Sequence, residues 1–114
     1  MDSILQTDTE HCFLCGKNSK LERYQEMHWH HIFYGTANRA KSEKYGLKVR
    51  LCCYACHEYG PNAVHQNKAV DDELKKTGQR VFEEYYADRF KNCEYKGFTG
   101  ARAKFVEEFG KNYL

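Results

Sequence analysis

The chain has 114 residues, of which 41% are hydrophobic, and its formal net charge is only +2, from 18 basic and 16 acidic side chains. This length favours one domain, and the low net charge excludes a protein that binds nucleic acid over a wholly polycationic surface. With 9 Tyr and 7 Phe residues, the core should be small and aromatic, and such a domain usually needs a metal or disulfides for stability.

The start of the chain carries neither the basic region nor the apolar stretch of a secretion signal, and no later stretch reaches the ~18 apolar residues of a membrane span. We therefore expect a flexible N-terminus over residues 1–10 and a single domain over residues 11–114. We also expect a cytoplasmic protein with no membrane partner, in which the cysteines are reduced.

Two short β-strands are predicted in the first half of the chain. Residues 25–33 alternate loosely and are rich in aromatic and β-branched side chains, and residues 47–52 alternate more regularly. The connector at residues 38–46 has the composition of a basic helical turn or a loop. Together these segments predict a β-hairpin with a wide connection.

Two helices are predicted in the second half. Apolar residues in 68–90 recur mostly three or four positions apart, which indicates a long helix, although Gly78 should weaken it by ~1 kcal/mol. Thr99 is expected to cap a final amphipathic helix over residues 101–109.

The cysteines include two Cys-x-x-Cys pairs, Cys12 with Cys15 and Cys53 with Cys56. Two such pairs form a tetrahedral thiolate site when their segments are neighbours, so we predict a structural Zn²⁺ whose binding stabilises the small core. A redox pair or two disulfides are the alternatives. The spacing from Cys52 to Cys56 offers another register, but the shorter spacing from Cys53 is favoured because it gives the tighter turn.

The histidines are concentrated between positions 28 and 65, and His30 and His31 are adjacent. A neutral imidazole binds divalent cations, and a pKa near 6.5 lets it take a proton from water near neutral pH. One histidine can therefore hold a metal while its neighbour activates water, and either His57 or His65 could complete the site with His30. A hydrogen-bonded structural role is the alternative for each histidine, and it is the role assigned to His11 and His28.

These residues resemble the HNH endonucleases, whose ββα-metal motif has an (Asp/His)-His pair on a first strand, a second strand ending near Cys-x-x-Cys-His, and a helix. The corresponding stretches here are HH at 30–31, LKVRLC at 47–52 and CYACH at 53–57. The longer run HHIFYGTANRAKSEKYGLKV, the later VHQNK and the closing FVEEFGKNYL are similar to small phage and prophage proteins of this type.

The resemblance implies an α+β fold in which a ββα-metal motif with a zinc-ribbon-like site of four cysteines, at residues 11–67, precedes a helical part at residues 68–114. It implies that His31 is the general base and His30 a ligand of a catalytic divalent cation: Mg²⁺, Mn²⁺, Ni²⁺ or Zn²⁺. His65 is the favoured second ligand, with His57 as the close alternative.

The family's central Asn, which holds the loop in place, has no match because Leu47 occupies that position. Asn38 is the substitute candidate for this role, and Asn67 is expected to lie around the metal ligands. Four basic residues within or beside the hairpin are expected to contact DNA phosphates without reading the base sequence. They are Arg39, Lys41, Lys44 and Arg50.

The expected function is therefore metal-dependent hydrolysis of phosphodiester bonds in double-stranded or branched DNA, as nicking, inside a bacterial host cell. A phage recombination or packaging protein is a further expected partner, and the chain could act as a monomer or homodimer. Two other classes remain open. One is a non-catalytic zinc-binding nucleic-acid module, and the other is a phage protein that binds or inhibits another protein.

Overall fold

A computed structural model of the chain describes residues 1–17 and 26–114, with the side chain of Tyr54 excepted. Its elements are β1 (Met27–His31), α1 (Thr36–Tyr45), β2 (Lys48–Cys52), a π-helical turn (Cys53–Glu58), α2 (Lys68–Tyr85), β3 (Glu94–Tyr95), β4 (Phe98–Thr99) and α3 (Gly100–Phe109). The predicted α+β class and the order of hairpin, helix and helix are confirmed. Residue 25, the predicted start of the first strand, lies outside the described residues.

β1 and β2 form an antiparallel pair with two faces of different character. His30 is paired with Val49, and His31 with Lys48. Since directly paired residues share a face and successive residues alternate, His28 and His30 lie on the side of the buried Val49. The opposite face carries His31 and Lys48. The hairpin therefore separates the two adjacent histidines onto different sides of the sheet.

The connector between the strands is the ten-residue helix α1, not a loop. It begins after Gly35, whose φ of 95° is accessible to glycine, and ends at Gly46 in the left-handed region. Ser42 ties the helix to the end of β1: its Oγ donates to the carbonyl of Phe33 at 2.7 Å and accepts from the N–H of Phe33 at 3.1 Å. Ser42 is fully buried, so these bonds fix α1 beside the strand.

α2 runs through Gly78, where the helix packs directly on the end of β1. A Cβ atom at Gly78 would lie 3.1 Å from Cγ2 of Ile32 and 3.3 Å from Cε2 of Phe33. Gly78 therefore permits the close approach of helix and hairpin. The helix ends at Tyr85, five residues before the predicted end at position 90.

The core is aromatic, as predicted. Phe33, Phe82 and Phe105 are fully buried, and the ring of Phe105 lies 5.1 Å from that of Phe33 and 5.4 Å from that of Phe82. These edge-to-face contacts join the hairpin, α2 and α3. Thr99 occupies the N-cap position of α3, as predicted, but its side chain makes no capping hydrogen bond. The small β3–β4 hairpin that precedes α3 was not predicted.

Residues near the N-terminus, which we expected to be flexible, hydrogen-bond to the edge of β2 that does not pair with β1. The N–H of Ile4 donates to the carbonyl of Gly46 at 2.9 Å. The N–H of Arg50 donates to Oε1 of Gln6 at 2.8 Å, and the N–H of Phe13 donates to the carbonyl of Arg50 at 2.8 Å. These bonds bring the first cysteine pair to the end of β2.

Across the two described ranges, no helix combines the length and the apolar character that crossing a membrane requires.

Candidate metal centres and the adjoining cavity

Four cysteine sulfurs converge where the N-terminal segment meets the end of β2. They belong to Cys12, Cys15, Cys52 and Cys56, and all lie within 4.8 Å of one another. The sulfurs of Cys15 and Cys52 are 3.8 Å apart. Two thiolates bound to one tetrahedral cation at ~2.3 Å stand ~3.8 Å apart, so this group could hold a structural metal ion.

The prediction that Cys53 belongs to this group is wrong, because the structure places Cys52 there. Cys52 ends a strand and Cys53 begins the π-helical turn, so the two side chains project in different directions. A π-helical turn bonds residue i to i+5, and residue i+4 therefore returns close to the same face as residue i. Cys56 stands in this relation to Cys52. Cys53 lies instead beside His28 and Glu26.

The pKa values of three of these thiols are shifted in different directions. Burial would raise the pKa of Cys12, but N–H groups of the backbone at Cys15, Cys52 and Leu14 outweigh it and lower that pKa to about 7. Burial raises the pKa of Cys52 and of Cys56. Cys12 is therefore the most readily ionised of these three thiols, and a cation would have to displace protons from the buried pair.

A second group of potential ligands is formed by His30, His57 and His65, whose ring nitrogens also lie within 4.8 Å of one another. Nε2 of His57 is 3.2 Å from Nε2 of His65. Two imidazole nitrogens bound to one tetrahedral cation at ~2.1 Å would stand ~3.4 Å apart. The two histidines that the sequence left as alternatives are therefore both next to His30, in a group that could hold a metal ion.

His30 supplies an independent indication that this group suits a cation. The residue is 2% exposed, and its Nε2 is one of two buried side-chain polar atoms without a hydrogen-bond partner in the described part of the chain. Burial, reinforced by His57 and His65, lowers the pKa of His30 to about 3. The imidazole is therefore neutral near pH 7, and a buried nitrogen lone pair without a partner is suited to coordinate a metal.

The backbone places His57 and His65 side by side. His57 directly follows Cys56 in the π-helical turn, so the cysteine group fixes its position. The loop then returns, and the N–H of Val64 donates to the carbonyl of Cys56 at 2.9 Å. Asn67, which we expected near the metal ligands, caps α2: its Oδ1 accepts from the N–H groups of Ala69 and Val70. Asn67 thus anchors the loop that carries His65.

The Nδ1 atom of His57 faces His28, to which the sequence assigned a structural role. Nδ1 of His57 is 3.3 Å from Nδ1 of His28 and 3.4 Å from Oε1 of Glu58. A partner at Nδ1 fixes the orientation of a metal-binding imidazole and leaves Nε2 for the cation. His28 and Glu58 are therefore placed where they could orient His57, and sequence spacing gave no sign of the contact with His28.

His31 has a different environment, on the opposite face of β1. Its Nε2 lies 2.9 Å from Oε2 of Glu43, and Nζ of Lys48 donates to Oε1 of Glu43 at 2.8 Å. Hydrogen bonds from Lys48 and His31 lower the pKa of Glu43 to about 2. The Glu43 carboxylate is therefore ionised near pH 7 and can only accept, so Nε2 of a neutral His31 carries the proton and Nδ1 keeps its lone pair.

Both environments open on one cavity of about 530 Å³. Its lining residues come from β1, α1, the π-helical turn and the loop before α2. They are Trp29, His30, His31, Tyr34, Gly35, Thr36, Arg39, His57, Glu58 and His65. Tyr34 forms one wall, where its hydroxyl donates to Oδ2 of Asp71 at 2.9 Å and its ring lies 5.3 Å from the ring of His65. A ligand in this cavity would touch the three-histidine group and His31 together.

The other predicted site residues do not all lie at the cavity. α1 contributes Thr36 and Arg39, but not Asn38, to the described lining of the cavity. Nζ of Lys41 donates to the carbonyl of Glu108 in α3, and Nζ of Lys44 lies over the ring of Tyr45. Of the four predicted phosphate contacts, Arg39 is therefore at the cavity. Arg50 lies beside it, with Cζ 5.1 Å from the centre of the Trp29 ring.

Several residues of these sites were not predicted from the sequence, among them Glu43, Ser42 and Tyr34, and Cys52 was named only as the less favoured register. The pair Ser42-Glu43 occupies adjacent positions of α1, where Ser42 binds the end of β1 and Glu43 binds His31. Holding the connector against the strand is the task we assigned to Asn38. Here a buried serine and an ionised carboxylate hold it.

No protein-family model, curated protein or solved structure matches the chain.

Proposed function

We propose that the chain is a metal-dependent DNA endonuclease of the HNH type, which hydrolyses phosphodiester bonds in the cavity between β1 and the loop before α2. One observation carries the proposal. His31, with Nε2 bound to Glu43, lines the same cavity as the group formed by His30, His57 and His65. A proton acceptor and a group that could hold a cation would therefore both face a molecule in this cavity, which supports the hydrolysis of a phosphodiester.

The residues of the chain have separate tasks in this reaction. His30, His57 and His65 would hold the catalytic cation, and the unpartnered Nε2 of buried His30 supports this assignment. When bound, the cation would polarise a phosphate oxygen and stabilise the charge that develops on the leaving oxygen. His31 takes a proton from the attacking water at Nδ1, because Glu43 occupies its Nε2.

Charge at the mouth of the cavity favours a polyanion. Arg39 lines the cavity, and Lys48 and Arg50 lie on the same face of the sheet as His31. We assign Arg39 and Arg50 to the phosphates that flank the scissile bond, where they supply affinity without sequence readout. Lys41 and Lys48 are not assigned to DNA, because the amine of Lys41 binds the carbonyl of Glu108 and the amine of Lys48 binds Oε1 of Glu43.

The cysteine group serves as a structural zinc site in this proposal. Four thiols and the 3.8 Å separation of two sulfurs fit tetrahedral Zn²⁺, which prefers thiolate ligands in closed sites. Because His57 follows Cys56 directly, the zinc site also positions a ligand of the catalytic cation. Loss of zinc should therefore disturb the second site as well as the fold.

The experiment is plasmid nicking by the purified chain with Mg²⁺, Mn²⁺, Ni²⁺ or Zn²⁺ added, compared with the same protein in excess EDTA. His30→Ala removes a proposed ligand, and His11→Ala is the matched control, because His11 lies outside the cavity. We expect nicking that requires added metal and that is lost in His30→Ala and kept in His11→Ala. Absence of metal-dependent nicking by folded wild-type protein would overturn the proposal.

A further inference from the structure

The outer face of the β1–β2 hairpin carries the only tryptophan of the chain, Trp29. Trp29 is directly paired with Arg50, and His31, two residues further along β1, with Lys48. Because side chains alternate along a strand, these four residues share one face. The indole is 38% exposed and lines the cavity together with His31. Part of an aromatic surface is therefore open to a ligand at the edge of the proposed active site.

Two cations lie over this indole. Nζ of Lys48 lies 4.9 Å from the centre of the ring, and Cζ of Arg50 lies 5.1 Å from it. Both distances are those of cation–π contacts, which hold the ring and the cations together. Because Nζ of Lys48 also donates to Oε1 of Glu43 at 2.8 Å, the positive charge beside this apolar ring comes chiefly from Arg50. A nucleotide offers the complementary pair of a flat aromatic base and a negatively charged phosphate.

We propose that Trp29, with Arg50, is a stacking site for an unpaired nucleobase, so that the chain binds single-stranded or locally unpaired DNA. A base inside a duplex has both faces covered by its neighbours, whereas an unpaired base can stack on an aromatic side chain. Since every base has a π-face, such a site binds without sequence preference. The inference rests on the proposed nuclease function for the position of the scissile bond, but the stacking contact itself does not require cleavage.

The position of Trp29 relates the stacked base to the reaction. Residues two apart on a strand are separated by ~6.6 Å, so Trp29 and His31 can act on neighbouring parts of one strand. A base held by Trp29 would place the adjoining phosphodiester at the cavity that His30 and His31 line. The site would therefore select the unpaired segment of a substrate and align its backbone with the metal group.

Tryptophan fluorescence tests the stacking contact directly, because Trp29 is the only tryptophan in the chain. The full chain is titrated, without added divalent cation, with a single-stranded oligothymidylate of about 12 nucleotides and with a duplex of equal length. We expect saturable quenching by the single strand at concentrations where the duplex quenches little. Equal quenching by both forms, or no quenching by either, would overturn the stacking site.

Substitutions provide a second readout, the anisotropy of a labelled single strand. Trp29→Ala should weaken binding roughly 5- to 100-fold, the range for loss of one stacked base, and Trp29→Phe should retain most of the affinity. Tyr85→Ala is the matched control, because Tyr85 is also exposed but lies on α2 away from the cavity. Unchanged affinity in folded Trp29→Ala, or equal loss in Tyr85→Ala, would overturn the inference.

The two proposals fail separately in these experiments. Single-strand binding through Trp29 by a protein that never nicks DNA with any metal would support the stacking site and reject the nuclease. Metal-dependent nicking with the same single-strand affinity in wild type and Trp29→Ala would reject the stacking site and support the nuclease.

Discussion

The Glu43 carboxylate accepts a hydrogen bond from Nε2 of His31 at 2.9 Å, although Glu43 lies on α1 and His31 ends β1. The contact joins α1, the connector of the hairpin, to β1, the strand that precedes it. It also fixes which nitrogen of His31 is available to water, since an ionised carboxylate can only accept. Glu43 is therefore a positioning residue in the proposed reaction, since it acts through His31 and is not among the residues that line the cavity.

Glu43→Gln should slow DNA nicking roughly 10- to 100-fold, because the neutral amide neither fixes the tautomer of His31 nor stabilises its protonated form. The content of bound metal should not change, since Glu43 belongs to neither ligand group. Nicking rates and metal analysis measure the two effects. Glu84→Gln, an exposed change on α2, is the control. A rate equal to that of the wild type would contradict the assigned role.

Cys52→Ser and Cys53→Ser form a matched pair that tests which of two adjacent thiols binds the structural metal. Cys52→Ser should lose the metal and much of the thermal stability, because one ligand of a closed four-coordinate site is missing. Cys53→Ser should keep both. Metal content per chain and the midpoint of thermal unfolding are the measurements. If Cys53→Ser lost the metal and Cys52→Ser kept it, Cys53 would be the ligand, as the sequence favoured.

Burial lowers the pKa of His30 to about 3 in the folded, metal-free protein, whereas an imidazole in an unfolded chain titrates near 6.5. Between these values the unfolded state binds more protons, so the free energy of unfolding falls as the pH is lowered. This histidine contributes a slope of up to ~1.4 kcal/mol per pH unit.

His30→Leu should remove this contribution and flatten the pH dependence. Denaturant unfolding of the EDTA-treated protein, at several pH values between about 7 and 4, measures it. Both proteins keep the cysteine group, whose own pH dependence cancels in the comparison. Parallel curves for wild type and His30→Leu would show that His30 is not buried as a neutral imidazole.

Gly78→Ala should destabilise the fold by about 1 kcal/mol, although alanine is the better helix former. The added Cβ would meet Ile32 at 3.1 Å and Phe33 at 3.3 Å, and these side chains belong to the packed core. Arg80→Ala, at an exposed position of the same helix, should change stability by less than about 0.5 kcal/mol. A more stable Gly78→Ala protein would contradict the close packing of α2 on the hairpin.

The regular elements could be predicted because their patterns are local. Alternation in residues 47–52 predicted β2, and the helical spacing that starts at residue 68 predicted α2. The two-residue strands β3 and β4 were missed, since two residues are too few to show alternation. α1 was left open between helix and loop because its sequence has no clear apolar face.

The sequence predicted which residue types form the candidate sites, but it did not predict every individual residue. Cys-x-x-Cys spacing assumes a tight turn, and it misled because a strand ends at Cys52 and a π-helical turn follows. The bond between His31 and Glu43 depends on how α1 folds back on β1, which no local pattern specifies. The grouping of His30 with both His57 and His65 likewise depends on the course of the loop before α2.

The most direct test of the account is the rate constant for plasmid nicking by His31→Ala, measured at the same metal content as the wild type. Because His31 is not among the three histidines that could hold the cation, the variant should bind metal normally. Its rate constant should fall by roughly 10²- to 10⁴-fold, the range for loss of a general base. A rate constant equal to that of the wild type would contradict the central claim that His31 activates the attacking water.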